Sequence, residues 1–140
     1  MCIRDSSRDV NQRVFEQNKA CLELKKRLET HSEIKNIFHP ENCPNFNSLL
    51  TSDGGYGCLL SFELNGGLNK AKDFYDSLQV SKGPSLGTKF TLVCPYVLLA
   101  HYDELDWAES FGLPSHLIRV SRCDGKPNLS AQSNLSLIHI

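Results

Sequence analysis

A run of apolar side chains at every second position of residues 58–64 constrains the fold of this chain more than any other feature. These positions are Cys58, Leu60, Phe62 and Leu64, and the opposite face carries Leu59, Ser61 and Glu63. Because successive side chains of a β-strand point to opposite faces, this period of two predicts a strand with one buried face. Glycine turns bound the strand, with Gly54-Gly55-Tyr56-Gly57 before it and Gly66-Gly67 after it.

A long amphipathic helix is predicted upstream of this strand, over residues 7–30. Its apolar side chains fall along one face, and they are Val10, Val14, Cys21, Leu24 and Leu28. Ser7 is a suitable N-cap for this helix, because a hydroxyl accepts hydrogen bonds from the first turn. A coiled coil is the competing interpretation, although the apolar stripe is short for one.

The remaining elements follow from shorter patterns. A strand is predicted at residues 34–38, which Pro40 ends, and residues 39–50 are interpreted as polar and irregular. The other predicted elements are a helix at 68–78, a loop at 83–87, a strand at 89–94, a helix at 103–111 that is capped by Asp103 and ended by Gly112, and a strand at 117–121. This order predicts an α+β fold in two layers, with a small, mostly antiparallel sheet, helices on one side of it and a long N-terminal helix.

Composition argues against several classes of partner. The 140 residues carry a formal net charge of −1, so there is no electrostatic reason to expect a nucleic-acid partner. The longest apolar run, near residues 97–100, is far shorter than the roughly 20 residues of a membrane helix, and we expect no membrane partner. None of the six cysteines forms a C-x-x-C pair, which argues against zinc. Cys58 and Cys94 lie in apolar runs, so we expect reduced core cysteines and a cytoplasmic protein.

The two ends of the sequence are related to each other through their codons. Residues 1–6 can be encoded by a nucleotide string whose reverse complement encodes residues 135–140. Both hexapeptides resemble translations of a transposon end used as a sequencing adapter. We interpret them as adapter artefacts, exclude them from functional reasoning and expect a natural gene that was cut at both ends.

The order of motifs between these ends resembles a known enzyme family. The motifs are Gly54-Gly55-Tyr56-Gly57-Cys58-Leu59-Leu60-Ser61-Phe62-Glu63-Leu64, Pro84-Ser85-Leu86-Gly87, Ala100-His101 and Leu117-Ile118-Arg119-Val120-Ser121. Over residues 7–121 this series resembles the C-terminal domain of the pyridoxal-phosphate (PLP)-dependent transsulfuration enzymes of Cys/Met metabolism, which are fold-type I PLP enzymes. The stretch 83–96, followed by Leu99-Ala100-His101-Tyr102, is similar to the fungal-type cystathionine γ-synthases.

The resemblance implies two substrate-binding residues. In the family, the arginine of the Leu-Ile-Arg strand binds the α-carboxylate of the amino-acid substrate, and here that residue is Arg119. The planar fork of donors on a guanidinium matches a carboxylate and stays charged. The serine of the Ser-Leu-Gly loop, here Ser85, lies near that carboxylate in the family, and its hydroxyl can donate or accept. From the residues alone, a surface arginine and a loop serine bonded to its own backbone remain open alternatives.

Three further residues are interpreted as structural. His101 occupies a position where the family has a histidine near the site, and we expect it to bond there without touching substrate. Trp107 is expected to pack on its short helix. The resemblance assigns no acid/base role to Tyr56.

The resemblance also implies a cofactor and partners. In the full-length enzyme, PLP would be the electron sink for γ-replacement on an activated homoserine by cysteine. The Schiff-base lysine belongs to an upstream domain, so we expect no catalytic, cofactor-binding or metal-binding residue in this chain and no activity from it alone. The implied partners are the amino-acid substrate, the missing N-terminal PLP domain and further copies in a homotetramer.

Two other functions stay open on the sequence alone. A cystathionine or methionine γ-lyase, or a β-lyase, uses the same scaffold, and a non-catalytic α+β interaction domain requires no active site at all. The resemblance stops at Arg122, and we therefore expect residues 122–134 to be a divergent or frameshifted tail.

Overall fold

The computed structural model describes residues 8–123, and a five-stranded sheet lies at their centre. The strands are β1 (Ile34–Phe38), β2 (Leu59–Leu64), β3 (Ser81–Lys82), β4 (Leu92–Pro95) and β5 (Ile118–Ser121), in the order β1-β2-β5-β4-β3. The pairs β1–β2, β2–β5 and β4–β5 are antiparallel, whereas the short β3 pairs parallel with β4. The predicted α+β class and mostly antiparallel sheet are confirmed.

Two long helices cover one face of this sheet. The helices are α1 (Val10–Glu29), α2 (Pro44–Leu49), α3 (Gly67–Ser77), α4 (Tyr96–Ala100) and α5 (Leu105–Ser110), with 3₁₀ turns at Pro40–Asn42 and Tyr102–Glu104. Cys21 and Leu28 of α1 and Phe74 of α3 pack in one cluster with apolar side chains of β2, β4 and β5. Phe74 meets Phe62 edge to face with ring centroids 5.8 Å apart, a favourable aromatic geometry.

The alternation in β2 has the predicted consequence. Leu60, Phe62 and Leu64 are each only 2% exposed, and they face α1 and α3. The same alternation operates in β5, where Ile118 and Val120 join this core and Arg119 between them points to the opposite face. We call the helix-covered side of the sheet the covered face and the other side the open face.

The apolar stripe predicted along α1 is buried only in its second half. Cys21, Leu24 and Leu28 are buried, whereas Val10 is 40% and Val14 is 52% exposed. The side chain of Asp9, the residue before α1, makes no capping hydrogen bond to the helix backbone, because its carboxylate pairs with the Arg13 side chain at 2.9 Å. The predicted cap Ser7 lies outside the described residues.

The segment 39–50, interpreted from the sequence as irregular, is helical, and that interpretation was wrong. Pro40 and Pro44 each stand in the first turn of a short helix, where the missing amide hydrogen is not required. The side chain of His39 caps the first of these turns by accepting a hydrogen bond from the backbone N–H of Glu41.

Two further predictions need correction near β4. The strand expected at 89–94 begins only at Leu92, because its neighbours β3 and β5 pair with it from that residue onward. Phe90 therefore lies outside the sheet and is 47% exposed. Strand β3 and helix α4 were not predicted, and the helix expected at 103–111 is a 3₁₀ turn followed by α5. Asp103 lies inside that turn and caps neither element, so its predicted capping role was wrong. Gly112 ends α5 as predicted, at φ 78°, with its N–H bonded to the carbonyl of Glu109.

A second, smaller core forms where α4 and α5 meet the start of β5. Val97, Ala108 and Leu117 are its buried members, with exposures of 0–3%, and Tyr96, Leu105 and Leu113 pack around them. The short helices α2 and α4 border the open face, whereas the two long helices lie on the covered face as predicted. Among the helices within residues 8–123, none is sufficiently long and apolar to cross a bilayer.

Candidate functional site

A row of side chains crosses the open face of the sheet with Arg119 in the middle. The antiparallel register places Ser61 of β2 directly opposite Arg119 on one side and Cys94 of β4 on the other. Phe38 of β1 extends the row beyond Ser61. Because partners in register point to the same face, the sheet itself delivers these four side chains to one surface.

The Arg119 guanidinium is held by two neighbours of different kinds. Its Nη2 donates a hydrogen bond to the backbone carbonyl of Pro84, and its Cζ lies 4.8 Å from the centre of the Tyr96 ring. The ring face attracts the cation electrostatically. A guanidinium has five N–H donors, so the bond to Pro84 leaves others for a ligand.

Cys94 lies beside this cation and deep in the sheet. Its side chain is 1% exposed. Burial raises the pKa of the Cys94 thiol, and the nearby Arg119 acts in the opposite direction. The thiol therefore stays neutral at physiological pH and does not neutralise the guanidinium.

A groove runs from Arg119 along the open face towards α2. It has a volume of about 470 Å³ and its walls include Phe38, His39, Phe46, Leu59 and Ser61. Its walls are mostly apolar, and Arg119 contributes a positive charge to them. This combination suits a small molecule with an anionic end and a less polar body.

Ser85 lies in the loop between β3 and β4 and is exposed. The hydrogen bond from Arg119 to the carbonyl of the preceding Pro84 brings this loop to the guanidinium. Gly87, at φ 71°, supplies the left-handed turn that returns the chain to β4. The structure thus places the Ser85 loop next to Arg119, although Ser85 itself is not part of the groove wall.

His101 and Trp107 belong to a series of ring contacts that begins at Tyr96. His101 lies 6.2 Å from the Tyr96 ring and 5.9 Å from Trp107, and its Nδ1 is 2.7 Å from Oε1 of Glu104. Both residues therefore contact neighbouring rings, although Trp107 is 55% exposed, and the absence of a substrate contact at His101 stays a prediction.

Tyr56 belongs to the glycine turn before β2. Its backbone N–H donates to Oδ1 of Asn18 in α1 at 2.7 Å, and its ring lies 5.7 Å from His39. A β-carbon on Gly55 would lie 2.7 Å from the Asn18 side chain, so the close approach of this turn to α1 requires glycine.

The buried lysine of the described residues is not suited to hold PLP covalently. Among residues 8–123, Lys25 is the buried lysine, and it pairs with Glu29 at 2.6 Å and with Glu41 at 2.8 Å. The hydrogen bonds that Lys25 donates to Glu29 and Glu41 raise the pKa of Lys25, so it stays a cation and is unsuited to form an imine with the cofactor. No cluster of three or more His, Cys, Asp or Glu side chains within the described part could hold a metal ion.

The sequence did not single out the residues that surround Arg119. Tyr96 lies in α4, which was not predicted, and Cys94 was predicted only as a core residue. The only available signal was their closeness to the Ser85 loop along the chain, since the pairing of Cys94 with Arg119 depends on strand register.

Known proteins that are similar to this chain belong to one enzyme family. The family described as Cys/Met metabolism PLP-dependent enzyme matches residues 8–123. Cystathionine γ-synthase from Neurospora crassa is 43% identical over 119 residues, which cover 83% of this chain and 19% of that protein. Cystathionine γ-synthase from Saccharomyces cerevisiae is 38% identical over 130 residues, covering 86% of this chain and 20% of that protein. The chain thus spans about a fifth of the length of these relatives.

Solved structures agree on the fold. A cystathionine γ-lyase from Lactobacillus plantarum complexed with L-serine superimposes with a TM-score of 0.78 at 21% identity, over 93% of this chain and 35% of that one. A cystathionine γ-synthase from Xanthomonas oryzae pv. oryzae in complex with aminoacrylate and cysteine has a TM-score of 0.76 at 20% identity, over 94% of this chain and 36% of that one. With the family match over residues 8–123, these likenesses establish that the chain belongs to the Cys/Met metabolism PLP-dependent enzyme family.

Proposed function

We propose that this chain is the substrate-carboxylate-binding part of a PLP-dependent, cystathionine γ-synthase-like enzyme. The reaction would be γ-replacement, in which the thiol of cysteine displaces the γ-substituent of an activated homoserine. The observation that carries the proposal is the half-buried Arg119 guanidinium, which contacts Tyr96 and Pro84 at the end of an apolar groove.

In this proposal, Arg119 binds the α-carboxylate of the amino-acid substrate. A carboxylate accepts two parallel N–H···O bonds from a guanidinium, which fixes both its position and its plane. Because Arg119 lies on the central strand of the sheet, its backbone is rigid, and the substrate is held at a set angle. Ser85 would add a hydroxyl next to that carboxylate from the adjacent loop.

The relatives favour the synthase over the lyase. The fungal proteins at 38–43% identity are named cystathionine γ-synthases, and their sequences align with most of this chain. The lyase and synthase structures, at 21% and 20% identity, are equally distant from this chain and support only the shared fold.

PLP, when bound to the complete enzyme, supplies the electron sink for the reaction at the substrate's α-, β- and γ-carbons. The chain's own residues would bind and orient the amino acid without holding the cofactor covalently. We therefore propose that the 140-residue chain alone neither binds PLP tightly nor converts substrate, since its buried lysine is engaged by two carboxylates.

The distribution of exposed apolar side chains supports a further domain and an oligomer. Val10, Val14 and Phe15 are exposed on the first half of α1, and Leu86 and Phe90 are exposed around Ser85. Exposed apolar groups concentrated in this way commonly mark contact surfaces. We propose that the PLP domain and neighbouring subunits of a tetramer cover them. Cys21, Cys43, Cys58, Cys94 and Cys123 are free thiols, which supports a reducing, cytoplasmic location.

The test of the proposal is the Arg119→Leu variant of the complete enzyme. We expect kcat/KM for the amino-acid substrate to fall by roughly a hundredfold or more, because a charge-assisted carboxylate contact is lost. The matched control is Arg27→Leu on the exposed side of α1, which should keep kcat/KM within about twofold. Equal losses in both variants, or no loss in Arg119→Leu, would show that Arg119 does not bind the substrate.

Product analysis separates the synthase from the lyase. The complete enzyme is given O-acetyl- or O-phosphohomoserine with and without cysteine, and we expect cystathionine to form only when cysteine is present. Release of a keto acid and ammonia at the same rate in both conditions would contradict the γ-replacement assignment.

The isolated chain offers an independent test. Addition of PLP to the purified 140-residue polypeptide should give no protein-bound absorbance band that an amino acid can bleach. A stable band of that kind would contradict the proposal that this chain does not hold the cofactor.

A further inference from the structure

We infer that Tyr96 is a positioning residue that sets the plane of the Arg119 guanidinium for carboxylate binding. This inference rests on the proposed function of Arg119 and adds a residue that neither the resemblance nor the relatives' names assign. The observations that carry it are the position of the guanidinium carbon over the Tyr96 ring and the contacts that hold that ring in place.

The contacts of Arg119 with Pro84 and with Tyr96 differ in what they control, and Cys94 lies beside the same side chain. The hydrogen bond to Pro84 holds one end of the guanidinium, Nη2, but one bond does not define the plane of the group. The Arg119 Cζ lies over the Tyr96 ring, 4.8 Å from the ring centroid. A cation over an aromatic face is attracted by the ring quadrupole, and this contact restricts the planes that the guanidinium can adopt.

The Tyr96 ring is in turn held from behind. Tyr96 packs against the second core of Val97, Ala108 and Leu117. His101 meets the ring edge to face at 6.2 Å, and His101 itself contacts Trp107 and Glu104. The small core formed by α4 and α5 thus fixes Tyr96 in place, which explains why two short helices follow β4 directly next to the site.

The hydrogen bond to Pro84 does not by itself hold the guanidinium in one plane. Pro84 lies in an exposed loop whose neighbours Ser85 and Leu86 are also exposed, so its carbonyl is a less rigid support than a ring packed on a core. Preorganisation matters because a freely rotating guanidinium loses orientation entropy each time it binds a carboxylate bidentately. The ring is therefore the part of the site that keeps Arg119 ready for substrate.

The experiment compares Tyr96→Leu with Tyr96→Phe in the complete enzyme. Tyr96→Leu keeps apolar bulk but removes the ring, and we expect KM for the amino-acid substrate to rise roughly three- to thirtyfold with a smaller change in kcat. Tyr96→Phe keeps the ring face and should stay within about twofold of the parent enzyme. Tyr102→Leu is the matched control, because Tyr102 is 73% exposed in the turn after α4.

A second readout separates positioning from general damage. The α-carboxamide analogue of the substrate lacks the anion that Arg119 would bind. Discrimination between acid and amide, measured as the ratio of their kcat/KM values, should fall in Tyr96→Leu and stay unchanged in Tyr96→Phe and Tyr102→Leu.

Every other outcome contradicts either this inference or the proposed function. If Tyr96→Phe loses as much as Tyr96→Leu, the hydroxyl and not the ring face is responsible, and the inference is wrong. If Tyr102→Leu has the same effect, or if Tyr96→Leu lowers acid and amide turnover equally, Tyr96 is only a packing residue. If Arg119→Leu leaves acid–amide discrimination intact, the proposed function fails first, whereas loss in Arg119→Leu without loss in Tyr96→Leu overturns this inference alone.

Discussion

The covered face of the sheet forms the apolar core, whereas the open face carries the candidate site. The four residues of strand β5 contribute to both faces. Ile118 and Val120 enter the covered face, where helices α1 and α3 exclude water. Arg119, between them, enters the open face and meets Tyr96 and Pro84. A shift of one residue in register would exchange these roles, so the core that stabilises the sheet also fixes where Arg119 points.

The covered face is apolar and close-packed, and the open face is mixed. The open face carries a buried carboxylate, Glu63, in addition to the half-buried Arg119, and much of its groove is open. We therefore expect substitutions on the covered face to change stability and most substitutions on the open face to change binding. Three predictions test this division, from the largest expected effect to the smallest.

Truncation in the covered face should cost the most stability. Phe62→Ala leaves a cavity against Phe74, and we expect the free energy of opening the sheet to fall by about 3–5 kcal/mol. The measurement is hydrogen exchange of the β5 amides in the complete protein. Phe38→Ala is the matched control on the open face, where the ring is 42% exposed, and it should cost about 1 kcal/mol or less. Equal losses in both variants would remove the distinction between the faces.

Glu63 is an expected exception to the assignment of stability to the covered face, because it lies on the open face and contributes to stability. Its carboxylate accepts hydrogen bonds from Lys35 at 2.8 Å and Asn36 at 2.7 Å, and His116 lies 3.0 Å away. Burial alone would raise the pKa of Glu63, but these three bonds outweigh burial and hold the pKa below its ordinary value.

Glu63→Gln should therefore destabilise the β1–β2 pair by about 1–3 kcal/mol, since charged hydrogen bonds are lost in a buried position. The exposed Glu109→Gln is the control and should be neutral. Because the folded pKa of Glu63 is lowered, its contribution is present above the unfolded pKa of about 4.3 and is lost as pH falls through the folded pKa. Exchange of the β1 amides measured at neutral pH and near pH 4 checks both statements, and a Glu63→Gln variant with full protection contradicts them.

The smallest expected effect is a pH dependence at the edge of the groove. His39 is 6% exposed, and burial lowers its pKa, with Glu41 opposing and Lys25 reinforcing that shift. The unfolded chain then binds a proton first as pH falls below about 6.5, so the local stability of the turn before α2 should decrease there. Exchange protection of α2, corrected for the intrinsic pH dependence, measures this decrease. A His39→Phe variant should lack it, and an unchanged profile in that variant would assign it to another group.

Prediction from sequence succeeded where local pattern and final environment agree. The period of two in β2, the glycine that ends α5 and the α+β class are properties of short segments, and the structure confirms them. It failed for α2 and α4, whose short helices depend on proline positions and on the second core more than on an apolar period. It also failed for Val10 and Val14, which satisfy the helical pattern but lie beyond the sheet that buries the rest of α1.

The candidate site was likewise only partly predictable from the sequence. The family resemblance identified Arg119 and Ser85 as substrate-binding residues, and both roles stay predictions until the variants are measured. The surroundings of Arg119 were beyond sequence reasoning, because Ser61, Cys94 and Tyr96 reach it through strand register and through a helix that packs on a distant segment.

The sequence by itself determined the alternation that separates core from surface and the motifs that identify the family, since both are carried by residues next to one another in the chain. Only the tertiary structure decided that Arg119 points to the open face and that its guanidinium lies over the Tyr96 ring. Those properties arise from contacts between residues more than 20 positions apart, and their geometry depends on how strands pair and helices pack.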